Sequence, residues 1–288
     1  MRVHVIGVGK MGLPMAGNLR RGGHSVTVSD TDRERLRLAR VDGLEVVEAG
    51  AGISAAALIL SSLPHDAALL DVGPLVVRHA RRGALYVDTS TVSQEASASV
   101  AALCEAAGVR HLRCTVSGNN HMAKAAQLTV LASGPRRAYD EALPVLQLLG
   151  PQQFWLGEGE QARLMKLVVN LMIVQTSAML AEALALGRKG GLEWRDMWRV
   201  LTASAVGSPI LKAKAQQLVE HDFTPTFTVQ QMLKDVGLIL EAAASSHVPL
   251  PQTAATQQML QAALAQGLGA EDYAAIVKIA ARAAGLEA

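Results

Sequence analysis

The sequence predicts an α/β fold: a doubly wound parallel sheet in the first half, then a long connecting helix and an all-helical second half. Three observations carry this. Short β-rich runs alternate with amphipathic helical stretches over the first half. An uninterrupted helical pattern then fills 160–189, and after it no convincing strand pattern occurs.

Strand-like runs fall at 2–6, 25–29, 44–47, 58–63, 84–88 and 109–114, with helices such as 11–21, 33–40 and 94–107 between them. Two later apolar runs, 128–132 and 154–156, would add strands at the sheet edge. The helix over 160–189 would be about 45 Å long at 1.5 Å per residue, and Gly190-Gly191 stops it. Further helices at 193–203, 210–220, 228–245, 252–266 and 272–284 are separated by Gly, Pro or capping residues.

The chain has ample length to bury a core. Half of its residues are hydrophobic but only 3% are aromatic, so aliphatic side chains must fill the interior. With 27 basic and 25 acidic residues and no dense Lys/Arg block, electrostatic capture of nucleic acid or of an anionic membrane is not expected. Cys104 and Cys114 lack any Cys-x-x-Cys or His cluster, which argues against a disulfide framework and against a metal site. A reduced, cytoplasmic setting fits. The apolar N-terminus is interrupted by Lys10 and Arg20-Arg21 and contains a Gly-rich turn, so it reads as a first strand and turn, not a signal peptide. The stretch 164–186 is long enough to raise a transmembrane question. It carries Lys166, Asn170, Gln175 and Glu182, costly in hydrocarbon, so a buried interdomain helix is expected.

Between the first strand and first helix stands Gly7-Val8-Gly9-Lys10-Met11-Gly12. Gly7 permits the tight turn, Gly9 lets backbone N–H groups approach a pyrophosphate, and Gly12 lets the helix pack closely on the strand. The second predicted strand leads into Asp30, where a carboxylate would bind the adenosine ribose hydroxyls. A helix cap or turn is the competing reading of Asp30. A carboxylate there also repels the 2′-phosphate of NADP, so NAD is the expected cofactor. Arg33 and Arg35 keep NADP open, though Asp32 and Glu34 offset them. On this reading 1–158 is a Rossmann-type NAD-binding domain and 159–288 a helical domain for substrate and oligomer contacts.

The wider run from Gly7 to Leu19, with Gly23-His24 and Val26-Thr27-Val28-Ser29-Asp30, closely resembles the β-hydroxyacid dehydrogenase family, 3-hydroxyisobutyrate dehydrogenase-like enzymes included. The resemblance extends over nearly the whole chain. It implies cofactor contacts at Gly7, Gly9, Lys10, Met11, Gly12 and Asp30, at Leu63 after the fourth strand, and at Thr91 in Asp88-Thr89-Ser90-Thr91. Val116-Ser117-Gly118 resembles the loop whose serine and glycine hold a substrate carboxylate. Gly157-Glu158-Gly159 and Met165-Lys166-Leu167-Val168-Val169-Asn170 resemble the catalytic helix, and Lys234-Asp235 the cofactor-facing pair of the second domain. The family is expected to pass hydride between NAD and a small β-hydroxy acid or its semialdehyde, with Lys166 as general acid/base.

The chemistry needs those residue types. An ordinary lysine, with a pKa of about 10.4, is a poor base at neutral pH. Partial desolvation at the start of an apolar helix would lower its proton affinity. Asn170, one helical turn later, would orient the substrate against Lys166. The competing reading of Lys166 is a lysine snorkelling from a buried helix end. The chain departs from the family around the substrate loop, with Arg113-Cys114-Thr115 before it and Asn119-Asn120-His121 after it. Asn119 adds an amide where relatives have almost no side chain, either to read an extra polar group or to narrow the pocket. Two alternatives share the sequence features. One is an imine reductase on the same fold, against which Lys166 argues; the other is a non-catalytic nucleotide-binding scaffold. The long apolar helix implies a homodimer or homotetramer.

Overall fold

The computed structural model of the chain describes residues 1–287. It divides into two compact units, Met1–Lys166 and Leu167–Ala288.

In the first unit the chain runs β1 (Arg2–Ile6), α1 (Gly12–Arg21), β2 (Ser25–Ser29), α2 (Arg33–Val41), β3 (Glu45–Val46), α3 (Ala49–Ala55), β4 (Leu58–Ser61) and α4 (Asp66–His79). It continues through β5 (Leu85–Asp88), α5 (Gln94–Ala106), β6 (Arg110–Ser117), α6 (Asn120–Lys124), β7 (Thr129–Ser133), α7 (Arg136–Leu146) and β8 (Gln152–Trp155). The strands form one sheet in the order β3-β2-β1-β4-β5-β6-β7-β8. Only the β6–β7 pair is antiparallel. The chain winds outward from β1 to β3, then returns past β1 to start β4. That reversal lies between β1 and β4, where doubly wound sheets open a crevice at their carboxyl ends.

Strand alternation sorts the side chains onto two faces. On one face Val3, Val5, Val28, Leu58, Leu60, Leu85, Val87, Leu112, Cys114 and Val130 pack with Met15 and Leu19 of α1 and Ala142 and Val145 of α7. On the other, Ile6, Ile59 and Tyr86 pack with Ile53 of α3, Leu69 and Val76 of α4, and Val100 and Cys104 of α5. Helices on both faces explain why the central strands are buried throughout.

Local differences from the sequence pattern have local causes. β4 ends at Ser61, short of residue 63, because the Leu63 N–H leaves the ladder for Ser90 Oγ (2.9 Å). β6 continues beyond residue 114 to Ser117 because β7 supplies an antiparallel partner, pairing Ser117 with Thr129. The run at 44–47 shrinks to the two residues of β3 at the sheet edge. Helices α4 and α7 each hold a proline, Pro74 and Pro144, which obscured their helical pattern in the sequence.

Helix α8 (Gln161–Lys189) begins in the first unit. The second unit adds α9 (Trp194–Ala203), α10 (Pro209–Val219), α11 (Val229–Ser245), α12 (Pro251–Ala265) and α13 (Ile276–Ala283). The helix read from 272–284 is broken at its start. Asp272 caps a single 3-10 turn, Tyr273–Ala275, while binding Lys214 and Thr226. Helix α8 is long and apolar enough to cross a membrane by length and composition. Within the second unit its polar side chains are nevertheless satisfied by protein, Asn170 by Asp235 and Gln175 by Thr253. Val174, Ala178 and Ala181 on the same helix pack with Val229, Met232 and Leu260.

Candidate active site

The glycine turn closes at the carboxyl end of β1. Gly7 adopts φ +86°, and a Cβ there would meet Ser62 O at 2.4 Å. At Gly12 a Cβ would strike Gly7 O at 1.9 Å, so the start of α1 lies directly on the turn. Gly9 differs: its Cβ direction meets nothing within 4 Å. Two of the glycines are therefore required by packing, and the third opens a cradle of bare backbone at a helix N-terminus. That is the shape and polarity a diphosphate needs, so the residues fit a dinucleotide. Lys10 is exposed, and Met11 precedes α1 and packs against the core.

Asp30, just past β2, reaches back to this turn. Its Oδ2 accepts the Val8 N–H at 2.7 Å, and its Oδ1 accepts the Asp32 N–H at 2.9 Å. The turn reading and the ribose reading of Asp30 are thus compatible, since a carboxylate has about four acceptor positions and two are used. Leu63 and Thr91 follow β4 and β5. They join the group because Ser90 Oγ accepts the Leu63 N–H. The expected cofactor residues of the first unit therefore gather at the carboxyl ends of the adjacent strands β2, β1, β4 and β5.

The start of α8 is fastened to the same unit by a row of side chains in register across four strands. Ser61, Asp88, Arg113 and Ser133 are successive partners on β4, β5, β6 and β7. Arg113 pairs with Glu160 at 2.6 Å, and Ser133 Oγ accepts the Ala162 N–H at 3.1 Å. That N–H is one of the first-turn donors a helix cannot satisfy internally. Thr115 Oγ1 donates to Ala162 O at 3.1 Å. Arg163, fully buried, donates to the Asp88 carboxylate, to Ser90 O and to Ser97 Oγ. Lys166, half-buried, stands one turn after Arg163.

Ser117 ends β6, and exposed Gly118 follows with φ +136°, where a Cβ would meet Leu128 Cδ2 at 2.7 Å. Asn119 is the N-cap of α6, its Oδ1 accepting the Met122 N–H at 3.0 Å. Asn119 therefore keeps its two amide N–H donors and one lone pair of Oδ1 for a ligand. In the second unit, Asn170 Nδ2 donates to Asp235 Oδ2 at 2.6 Å, and Lys234 Nζ lies 2.7 Å from Asp235 Oδ1. Asp235 is buried and joins two expected site residues, Asn170 and Lys234.

Sequence reasoning missed Arg163 altogether and missed that Asp235 is the partner of Asn170. The available signal for Arg163 was a cation inside the apolar start of a helix, three residues before Lys166. Burial pushes the Cys104 thiol up to about 12 and raises Cys114 further, which favours neutral thiols at both positions.

Residues 2–157 match the model for the NAD binding domain of 6-phosphogluconate dehydrogenase. Residues 160–280 match that for the NAD-binding region of NADP-dependent 3-hydroxyisobutyrate dehydrogenase. The 2-(hydroxymethyl)glutarate dehydrogenase of Eubacterium barkeri is 32% identical over 284 residues, covering 97% of this chain and 94% of its own. The chain belongs to the β-hydroxyacid dehydrogenase family. It is an NAD(P)-dependent oxidoreductase, as the family resemblance implied. Glyoxylate/succinic semialdehyde reductase 1 of Arabidopsis thaliana is 29% identical, covering 96% of this chain and 98% of its own. The crystal structure of 3-hydroxyisobutyrate dehydrogenase from Salmonella typhimurium superimposes with a TM-score of 0.88 at 26% identity, covering 96% of this chain and 99% of that one.

Proposed function

We propose that the chain oxidises a small β-hydroxy acid, or reduces the matching semialdehyde, with Lys166 as general acid/base. Similarity to enzymes named for 2-(hydroxymethyl)glutarate, succinic semialdehyde and 3-hydroxyisobutyrate supports this substrate class. The single observation that carries the Lys166 assignment is its seat. It follows directly on a helical turn tied to the strand of Ser117 and to the loops of Leu63 and Thr91. Bound nicotinamide would accept hydride in oxidation and supply it in reduction. Lys166 takes the hydroxyl proton in one direction and returns it in the other. Ser117 Oγ and the Gly118 N–H hold the substrate carboxylate, and Asn119 adds an amide donor to that loop. Asn170, with one amide hydrogen committed to Asp235, presents its Oδ1 and remaining N–H to the substrate. Gly7, Gly9, Lys10, Met11, Gly12, Asp30, Leu63 and Thr91 hold the dinucleotide, and the family resemblance extends the cofactor role to Lys234. Asp30 favours NAD over NADP.

Steady-state kinetics with both cofactors test this reading. Lys166→Ala should lower kcat by at least about a hundredfold while NAD affinity stays near wild type; near-normal turnover removes the assignment. A higher kcat/KM with NADP than with NAD removes the reading of Asp30.

The helical domain, 159–288, serves substrate binding and self-association, and the protein works in the cytoplasm. Met172, Met179 and Leu186 stand 62%, 62% and 77% exposed at heptad spacing along α8. This apolar stripe supports a homodimer or homotetramer. A monomer in sedimentation equilibrium at micromolar concentration would exclude it.

A further inference from the structure

We propose that Arg163 is a positioning residue for proton transfer. Its guanidinium, clamped between Asp88, Ser90 and Ser97, sets where the second turn of α8, and with it Lys166, stands relative to the loops after β4 and β5. The inference rests on the reading of Lys166 as the proton-transfer residue.

Burying an arginine is costly unless its charge is paired and its N–H groups are bonded. Here both conditions hold. Arg163 and Asp88 are each fully buried and pair directly. Arg163 Nη1 donates to Ser90 O at 2.5 Å and Nε to Ser97 Oγ at 3.1 Å. The three acceptors lie at the end of β5, in the following loop and on α5. A planar fork that satisfies three separately held acceptors fixes its own helix in rotation as well as in translation.

Asp88 is the node that makes this matter. Its Oδ1 also accepts from Ser61 Oγ at the end of β4 and from Ser90 Oγ at 2.6 Å. Ser90 Oγ in turn accepts the Leu63 N–H at 2.9 Å. The same carboxylate therefore fixes the Leu63 segment, the Ser90-Thr91 segment and, through Arg163, the first turn of α8. The other ties on this turn, at Glu160 and Ala162, run to β6 and β7. The bonds of Arg163 run instead to the end of β5 and the loop after it, and through Ser90 they reach the Leu63 segment after β4. An apolar residue would fill the same volume without desolvating a charge, but it would leave that register unset. A misplacement of about 1 Å at a reacting group can cost about a hundredfold in rate.

Two variants separate geometry from charge and from folding. Arg163→Lys keeps a cation for Asp88 but loses the fork. Arg163→Met combined with Asp88→Asn removes both charges, while the new amide oxygen can still accept from Ser61 and Ser90. For both we expect folded protein, NAD affinity near wild type by fluorescence titration, little change in KM for the hydroxy acid, and kcat lowered by about a hundredfold. The solvent deuterium isotope effect on kcat should rise as proton transfer becomes limiting. Wild-type kcat in Arg163→Lys overturns the proposal, as does a loss of kcat that only tracks a loss of NAD affinity. Should the double variant not fold, Arg163→Lys decides alone. Lys166→Ala run in parallel keeps the two readings apart. Near-normal turnover there overturns the role of Lys166. An inactive Lys166→Ala beside a fully active Arg163→Lys overturns the role of Arg163 only.

Discussion

The two faces of the first unit's sheet are built from opposite materials. The face that packs on α1 and α7 is dry: Val3, Val5, Leu58, Leu60, Leu85, Val87, Leu112 and Cys114 pack together in one hydrophobic core. The other face carries His4, Ser61, Tyr86, Asp88, His111, Arg113, Thr115 and Ser133 on the same strands, mixed with Ile6 and Ile59. On the dry face burial contributes stability without direction, because dispersion and the hydrophobic effect specify volume more than orientation. On the polar face Asp88, Arg113, Thr115 and Ser133 are each held to a partner at a set distance, and those partners include Glu160, Ala162 and Arg163 of the segment leading to Lys166. One face therefore holds the fold, and the other aims the helix.

This contrast is open to direct test. Leu60→Ala, on the dry face, should cost about 3 kcal/mol in denaturant unfolding while kcat per folded molecule stays at the wild-type value. A large fall in kcat would break the division of labour between the faces.

Acid provides the second test. His4 is fully buried, bonded to Thr27 Oγ1 at 2.9 Å and Ser29 Oγ at 3.0 Å, and burial lowers its pKa from 6.5 to about 4. Burial also holds His111 well below its ordinary value, with Arg113 and Arg163 acting in the same direction. Between pH 6.5 and about 4 the unfolded chain takes up a proton at His4 that the folded chain refuses. Stability is therefore lost as pH falls through that window, on the order of 3 kcal/mol from His4. Thermal unfolding followed from pH 7 to pH 4 should show the loss, and His4→Gln should flatten it. An unchanged slope in His4→Gln would remove His4 as its source.

The smallest expected effect is at Ser133. Ser133→Ala deletes the acceptor of the Ala162 N–H and should cost about 1 kcal/mol. It should also lower kcat by less than Arg163→Lys does, because Thr115 and Arg113 still hold the same turn. A kcat loss larger than that of Arg163→Lys would shift the main tie from β5 to β7.

Much of the candidate site was legible in the sequence because its signals are local. Gly7, Gly9 and Gly12 announce a turn by their spacing, and Asp30 follows at the end of the next strand. Lys166 and Asn170 share a helix face by the period of the helix alone. Other features were invisible for an equally physical reason. Asn119 gave no sign that its carbonyl caps α6, because that depends on where β6 stops and the short helix starts. Asn170 finds Asp235 across 65 residues, and Arg163 finds Asp88 across 75. Such pairings depend on packing between elements distant in sequence, and no local pattern encodes it.

The sequence by itself determined the alternation of strands and helices, the glycine turn with its acidic partner, and the lysine and asparagine one turn apart on a long helix. Each follows from backbone stereochemistry or from helical and strand periodicity within a few residues. Only the tertiary structure decided that Ser61, Asp88, Arg113 and Ser133 form one row across four strands, and that α8 begins on that row. The hydrogen bonds that fasten the Lys166 helix exist only once sheet register has brought those side chains into line.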